Sequence, residues 1–95
     1  MEHLNKTNPN IITIFVKLKL GMKLNEDDIR IYEELDYDIK ETIYSLINSE
    51  FFVNDIDQIV RSIISSKEYS DEENKNLINK WNNEKMKIKI LNNNL

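Results

Sequence analysis

The chain has 95 residues, with one glycine, one proline, one histidine and no cysteine, and a formal net charge of −4 at pH 7. That length supports one modest hydrophobic core. The missing cysteines exclude disulfides, thiolate metal sites and cysteine nucleophiles, and the lone glycine excludes a glycine-rich phosphate loop and the turn chemistry of an all-β fold.

At 40% hydrophobic and 32% charged residues, the chain is too apolar for disorder throughout and too polar for a membrane span. Its longest apolar stretch, Ile11–Val16, is interrupted by Thr13 and followed by Lys17 and Lys19, well short of the roughly 20 apolar residues a spanning helix needs. The opening MEHLNKTNPN has neither the basic nor the apolar region of a signal peptide, so a cytoplasmic location is expected. A pI near 5.0 argues against a general nucleic-acid binder. The many asparagines and isoleucines read as the imprint of an AT-rich coding sequence.

Residues 1–8 are polar and expected to be loose. Asn8-Pro9 reads as an N-cap followed by proline at the first helical position. The β-branched run from Ile11 to Val16 and the Val16–Leu20 alternation suit a strand. Proline at the start and Gly21 at the end favour a helix over 9–20, with Asn10, Thr13, Lys17 and Gly21 on one polar stripe. Asn25 then caps a second helix: Glu26, Asp27 and Asp28 fill its first turn, and Leu24 is placed to staple onto Ile29. One continuous helix over 26–48 keeps Ile31, Tyr32, Leu35, Ile39, Ile43, Leu46 and Ile47 on one face. Asp38 and Glu41 also fit a capping box that would break it near 36–38.

Phe51 and Phe52 are expected in the core of a short connector. Asn54 is the expected cap of a third helix over 54–66, whose Ile56, Ile59, Val60, Ile63 and Ile64 form the cleanest core stripe in the chain. Ser70 and Glu73 make a capping box opening a fourth helix over 71–88, with Leu77, Ile78, Trp81 and Ile88 buried. The expected architecture is therefore all-α: a single domain and compact bundle of about four helices, with loose ends at 1–8 and 92–95. Its rival is an α+β form in which 11–20 and 85–91 pair as strands.

Charge is unevenly distributed. Residues 1–23 carry +3, residues 24–57 carry −9 and residues 58–95 carry +2, together the −4 of the chain. On a 26–48 helix the side opposite the apolar stripe holds Glu33, Glu34, Tyr37, Asp38, Glu41 and Tyr44. Tyrosine is enriched in interface hot spots, so these six residues are the candidate partner-binding surface. In the competing reading, one tyrosine packs against a neighbouring helix and the acids only solvate the surface. The basic segment Lys80–Lys89 is a second candidate, suited to phosphates or to the acidic block of the same chain or of a second copy.

Catalytic chemistry has little to build on. The single histidine, His3, lies in the N-terminal segment, and Asp36/Asp38 and Asp55/Asp57 lack the glycine and glutamate of a calcium loop. Neither a cofactor nor a metal site is expected. Asn5-Lys6-Thr7 matches a glycosylation acceptor, a tripeptide that arises by chance in asparagine-rich chains. The leading expectation is a small non-enzymatic protein–protein interaction factor, a phage or mobile-element inhibitor or regulator of a host nucleic-acid enzyme, working in the host cytoplasm through its acidic face. The alternatives are a structural subunit of a larger assembly, with homo-oligomerisation open to it, and a small helical DNA-binding regulator. Direct nucleic-acid binding is disfavoured, because Glu26, Asp27, Asp28, Glu33 and Glu34 crowd the helix that would enter the groove.

Overall fold

A computed structural model describes the backbone of residues 2–93 and the side chains of residues 11–90. The fold is all-α. Five α-helices follow in order: α1 (Glu2–Lys19), α2 (Glu26–Glu33), α3 (Tyr37–Ile47), α4 (Val53–Ser65) and α5 (Asp71–Asn93), with a 3-10 turn at Glu50–Phe52 before α4. No strand occurs among the described residues, so the α+β alternative fails: 11–20 and 85–91 are helical apart from the turn residue Leu20. The chain divides into two compact units, the first ending at Ile47 and the second beginning at Asn48.

In the first unit, α1 packs against both α2 and α3. It begins at Glu2, so residues 2–8 are helical rather than loose, and Asn8 is not its cap. Pro9 removes one backbone donor from the helix; the residues before it include no other breaker. The end is as expected: Gly21 has φ 74°, its N–H reaches the Leu18 carbonyl, and the Met22 N–H reaches that of Lys17, the two bonds of a Schellman cap. Ile14, Phe15, Val16 and Lys17 are all buried. Four successive buried positions exceed one helix face, so Lys17, expected on a polar stripe, does not reach solvent, while Thr13 is half-buried and Gly21 exposed.

The expected single helix over 26–48 is two helices. The Glu34 N–H reaches the Ile31 carbonyl and the Leu35 N–H that of Tyr32, tightening and closing α2. α3 starts at Tyr37, its first bond running from the Lys40 N–H to the Asp36 carbonyl. Asp36, not Asp38, is therefore its flanking residue. An unbroken helix would place Glu33 near Asp36 and Glu34 near Asp38 at repelling i,i+3 and i,i+4 spacings, and aspartate favours helix caps over interiors. The interruption alters the expected face: Ile43 and Ile47 are buried, but Ile39 is 44% exposed and Leu46 38%.

In the second unit, α4 packs against α5, and the 3-10 turn touches both. Ser49 caps that turn, its hydroxyl accepting from the Phe51 N–H. α4 continues directly from it at Val53, so Asn54 is not the cap. Phe51 is 88% exposed and Phe52 half-buried, against the expectation of two core rings; a turn this short leaves Phe51 pointing outward. The α4 stripe appears as expected, with Ile56, Val60 and Ile63 buried. Opposite it α5 buries Leu77, Trp81 and Ile88. Ile78 is 42% exposed, lying one residue too far round the helix. The capping box forms in both directions: Glu73 N–H to Ser70 Oγ at 3.1 Å and Ser70 N–H to Glu73 Oε1 at 2.9 Å. With no proline or glycine after Asp71, α5 runs to Asn93. Residues 92 and 93 are thus helical, while Met1, Asn94 and Leu95 lie outside the described residues.

Candidate functional site

The six surface residues expected from the sequence are all exposed, and two elements carry them. Glu33 is the last residue of α2 and Glu34 its C-cap. Tyr37, Asp38, Glu41 and Tyr44 belong to α3. The spacing of Tyr37, Glu41 and Tyr44 aligns them along one side of that helix. Tyr37 is 71% exposed, and the Glu41 carboxylate one turn on pushes its phenol above the usual tyrosine range.

Tyr44 behaves differently. Its ring meets Phe15 of α1 edge-on at 5.3 Å, so it is anchored to the unit it decorates. Phe15 also contacts Tyr32 at 5.5 Å, and Lys40 Nζ sits 4.3 Å from the Tyr32 ring centroid, within cation–π range. Residues 24–57 contain only two basic side chains, Arg30 and Lys40. Lys40 lies over Tyr32, and Arg30 pairs with Asp27 at 3.4 Å on the exposed side of α2. The surface of Glu33, Glu34, Asp38 and Glu41 thus sets four carboxylates against these two cations, a net negative charge by count. Asp36, Ile39 and Leu46 are exposed beside it. Ile39 and Leu46 each stand about one turn from Ile43, a spacing that predicts burial; they lie about 60–80° round α3 from its covered direction, at the margin.

A buried ion pair positions this surface. Lys17 Nζ donates to Asp28 Oδ2 at 2.7 Å, with side chains only 4% and 14% exposed. Asp28 is also the residue whose N–H donates to the Asn25 cap at 2.8 Å. The last turn of α1 therefore holds the first turn of α2. α2 buries no residue fully, which leaves this pair and the Tyr32 ring as named attachments.

Of the two calcium-loop fragments, the second is structural. Asp57 Oδ1 accepts from Trp81 Nε1 and from Lys85 Nζ, the latter at 3.0 Å. Burial alone would raise the Asp57 carboxyl, but the hydrogen bonds from Trp81 and Lys85 and the charges of Lys85 and Arg61 outweigh it, and the carboxyl titrates below its ordinary range. Among the described residues no group of three or more His, Cys, Asp or Glu side chains is placed to hold a metal ion; the His3 side chain lies outside them. Of the basic segment, Lys85 turns toward Asp57, Lys87 lies 3.7 Å from Glu84, and Lys80 and Lys89 are exposed. Among the described residues no helix is long and apolar enough to cross a membrane. The chain matches no protein-family profile, no curated protein and no solved structure.

Proposed function

We propose that the chain is a non-enzymatic interaction factor that binds a larger protein through Glu33, Glu34, Tyr37, Asp38, Glu41 and Tyr44. The observation that carries this reading is Tyr37: a ring 71% exposed on the same side of α3 as Glu41, beside the further exposed carboxylates of Glu33, Glu34 and Asp38. Binding would transfer that ring from water and pair the carboxylates with cations of the partner. In its finer form, the partner is a nucleic-acid enzyme of a bacterial host, the chain is a phage or mobile-element product in that host's cytoplasm, and the carboxylates occupy a channel that otherwise takes phosphates. The size, the acidity and the AT-rich imprint of the sequence support it.

Affinity capture with mass spectrometry identifies the partner, and titration at increasing ionic strength tests the chemistry. The partner is expected to present a basic groove and to release the chain as salt approaches about 1 M, where the screening length falls to about 3 Å. Glu33→Lys/Glu34→Lys/Glu41→Lys is expected to abolish capture. Retained binding by that triple variant, or a partner with no basic groove, would sink the reading.

A further inference from the structure

The outward side of α5 has no part in that reading. α5 buries Leu77, Trp81 and Ile88, and at about 100° per residue Asn79, Asn83, Met86 and Ile90 fall on the opposite side. Met86 is 60% exposed and Ile90 54%. Lys89 borders them on one edge and Lys87 on the other, both exposed. α3 presents the complementary chemistry. Opposite its buried Ile43 and Ile47 it carries Asp38 and Glu41, with exposed Ile39 and Leu46 along one margin. One helix thus offers apolar side chains with an ammonium group on each edge, the other apolar side chains with carboxylates along one edge. The spacings also fit: Ile39 and Leu46 are about 10 Å apart along α3, and Met86 and Ile90 about 6 Å apart along α5, so the second pair can seat between the first.

We propose that the occupant of the α3 face is a second copy of this chain, whose α5 lays Met86 and Ile90 on Ile39 and Leu46 and brings the lysine of one edge, Lys87 or Lys89, to Asp38 and Glu41. The chain itself carries both halves of the match, in sign and in apolar content, which selects self-association over an unrelated apolar partner. The assembly proposed is a pair in which each copy offers both its α3 and its α5. It covers part of the surface assigned above to a larger partner, so the two associations compete, but neither depends on the other being correct.

The test is light scattering on the purified full chain across concentration and salt. The expected mass is about twice the 11.4 kDa of one chain, returning to one chain as salt screens the pairing. Asp38→Lys/Glu41→Lys and Lys87→Glu/Lys89→Glu are each expected to give single chains. An equimolar mixture of the two variants is expected to pair again, because α3 made basic faces α5 made acidic while the other contact stays native. Met86→Ser is expected to weaken pairing by about tenfold through lost apolar contact. Circular dichroism checks that each variant folds, as substitutions at exposed positions should. A single-chain mass at every concentration overturns the proposal, as does a pair that survives both charge variants or a mixture that fails to restore it. No other protein is present, so failure here leaves the larger-partner reading intact, and failed capture leaves this one intact.

Discussion

The two units hold their helices by different means. In the second, two helices meet along one regular stripe: Ile56, Val60 and Ile63 on α4, Leu77, Trp81 and Ile88 on α5. Its polar lock, Asp57 with Trp81 and Lys85, is partly open to solvent, the ion-paired side chains being 28% and 27% exposed. In the first unit α1 is buried at four successive positions, and the short α2 is joined to it by the Lys17–Asp28 pair and by Tyr32 on Phe15. A one-sided stripe needs only periodic apolar residues. A helix buried on more than one side must bury polar groups too, and those must then be paired. The first unit is accordingly the one where single substitutions should do most damage, and the one that carries the candidate surface.

The largest expected effect probes the aromatic centre of the first unit. Phe15→Ala removes a fully buried ring that holds both Tyr32 and Tyr44, and should cost about 3–5 kcal/mol in urea unfolding followed by circular dichroism. A loss under about 1 kcal/mol would mean that the ring is not central to this unit. Next is Asp28→Ala, which leaves the Lys17 ammonium buried without its carboxylate and should cost about 3 kcal/mol. Substituting Lys17→Met together with Asp28→Leu should recover most of that loss; no recovery would show that the charge is not what the site penalises.

The equivalent change in the second unit should be milder. Asp57→Asn keeps an acceptor for Trp81 but removes the charge facing Lys85, and should cost about 1 kcal/mol near neutral pH given the partial exposure. Because the folded carboxyl titrates lower than the unfolded one, its contribution is present above the unfolded value of about 3.9. It is lost as pH falls through the folded value. The wild type and Asp57→Asn should therefore converge in stability below about pH 4, measured by fluorescence of Trp81, the only tryptophan. A difference that does not narrow at all as pH falls below about 4 would reassign the effect to packing. The smallest effect is a gain: Lys67 holds φ 60° after α4, a conformation costly for any side chain, and Lys67→Gly should add about 1 kcal/mol. No gain in thermal unfolding would mean that the lysine side chain compensates there.

Much of the second unit could be read from residues alone, since capping boxes and i,i+3,i+4 stripes are local. The Ser70–Glu73 box, the α4 stripe and the Trp81 and Ile88 side of α5 all followed from sequence spacing. In the first unit, the Asn25 cap and the Gly21 ending were equally legible. The Glu34–Asp36 interruption was legible only as the alternative break near 36–38, because the apolar phase across it fits one helix nearly as well as two. Of the candidate surface, exposure could be anticipated for all six residues, and Tyr44 on Phe15 of α1 meets the competing reading that one tyrosine packs against a neighbouring helix; which tyrosine does so was not legible.

By itself, then, the sequence determined the all-α class, most helix ends after residue 20, and the concentration of acid between residues 24 and 57, since each depends on residues a turn or less apart or on simple counting. Only the tertiary structure decided which charges are committed inward: Lys17 to Asp28, Lys85 to Asp57 and Lys40 to Tyr32. Those pairings join different helices or turn on which side of a helix is covered. No local pattern encodes that choice; it is made by which partner can offset the cost of removing a charge from water.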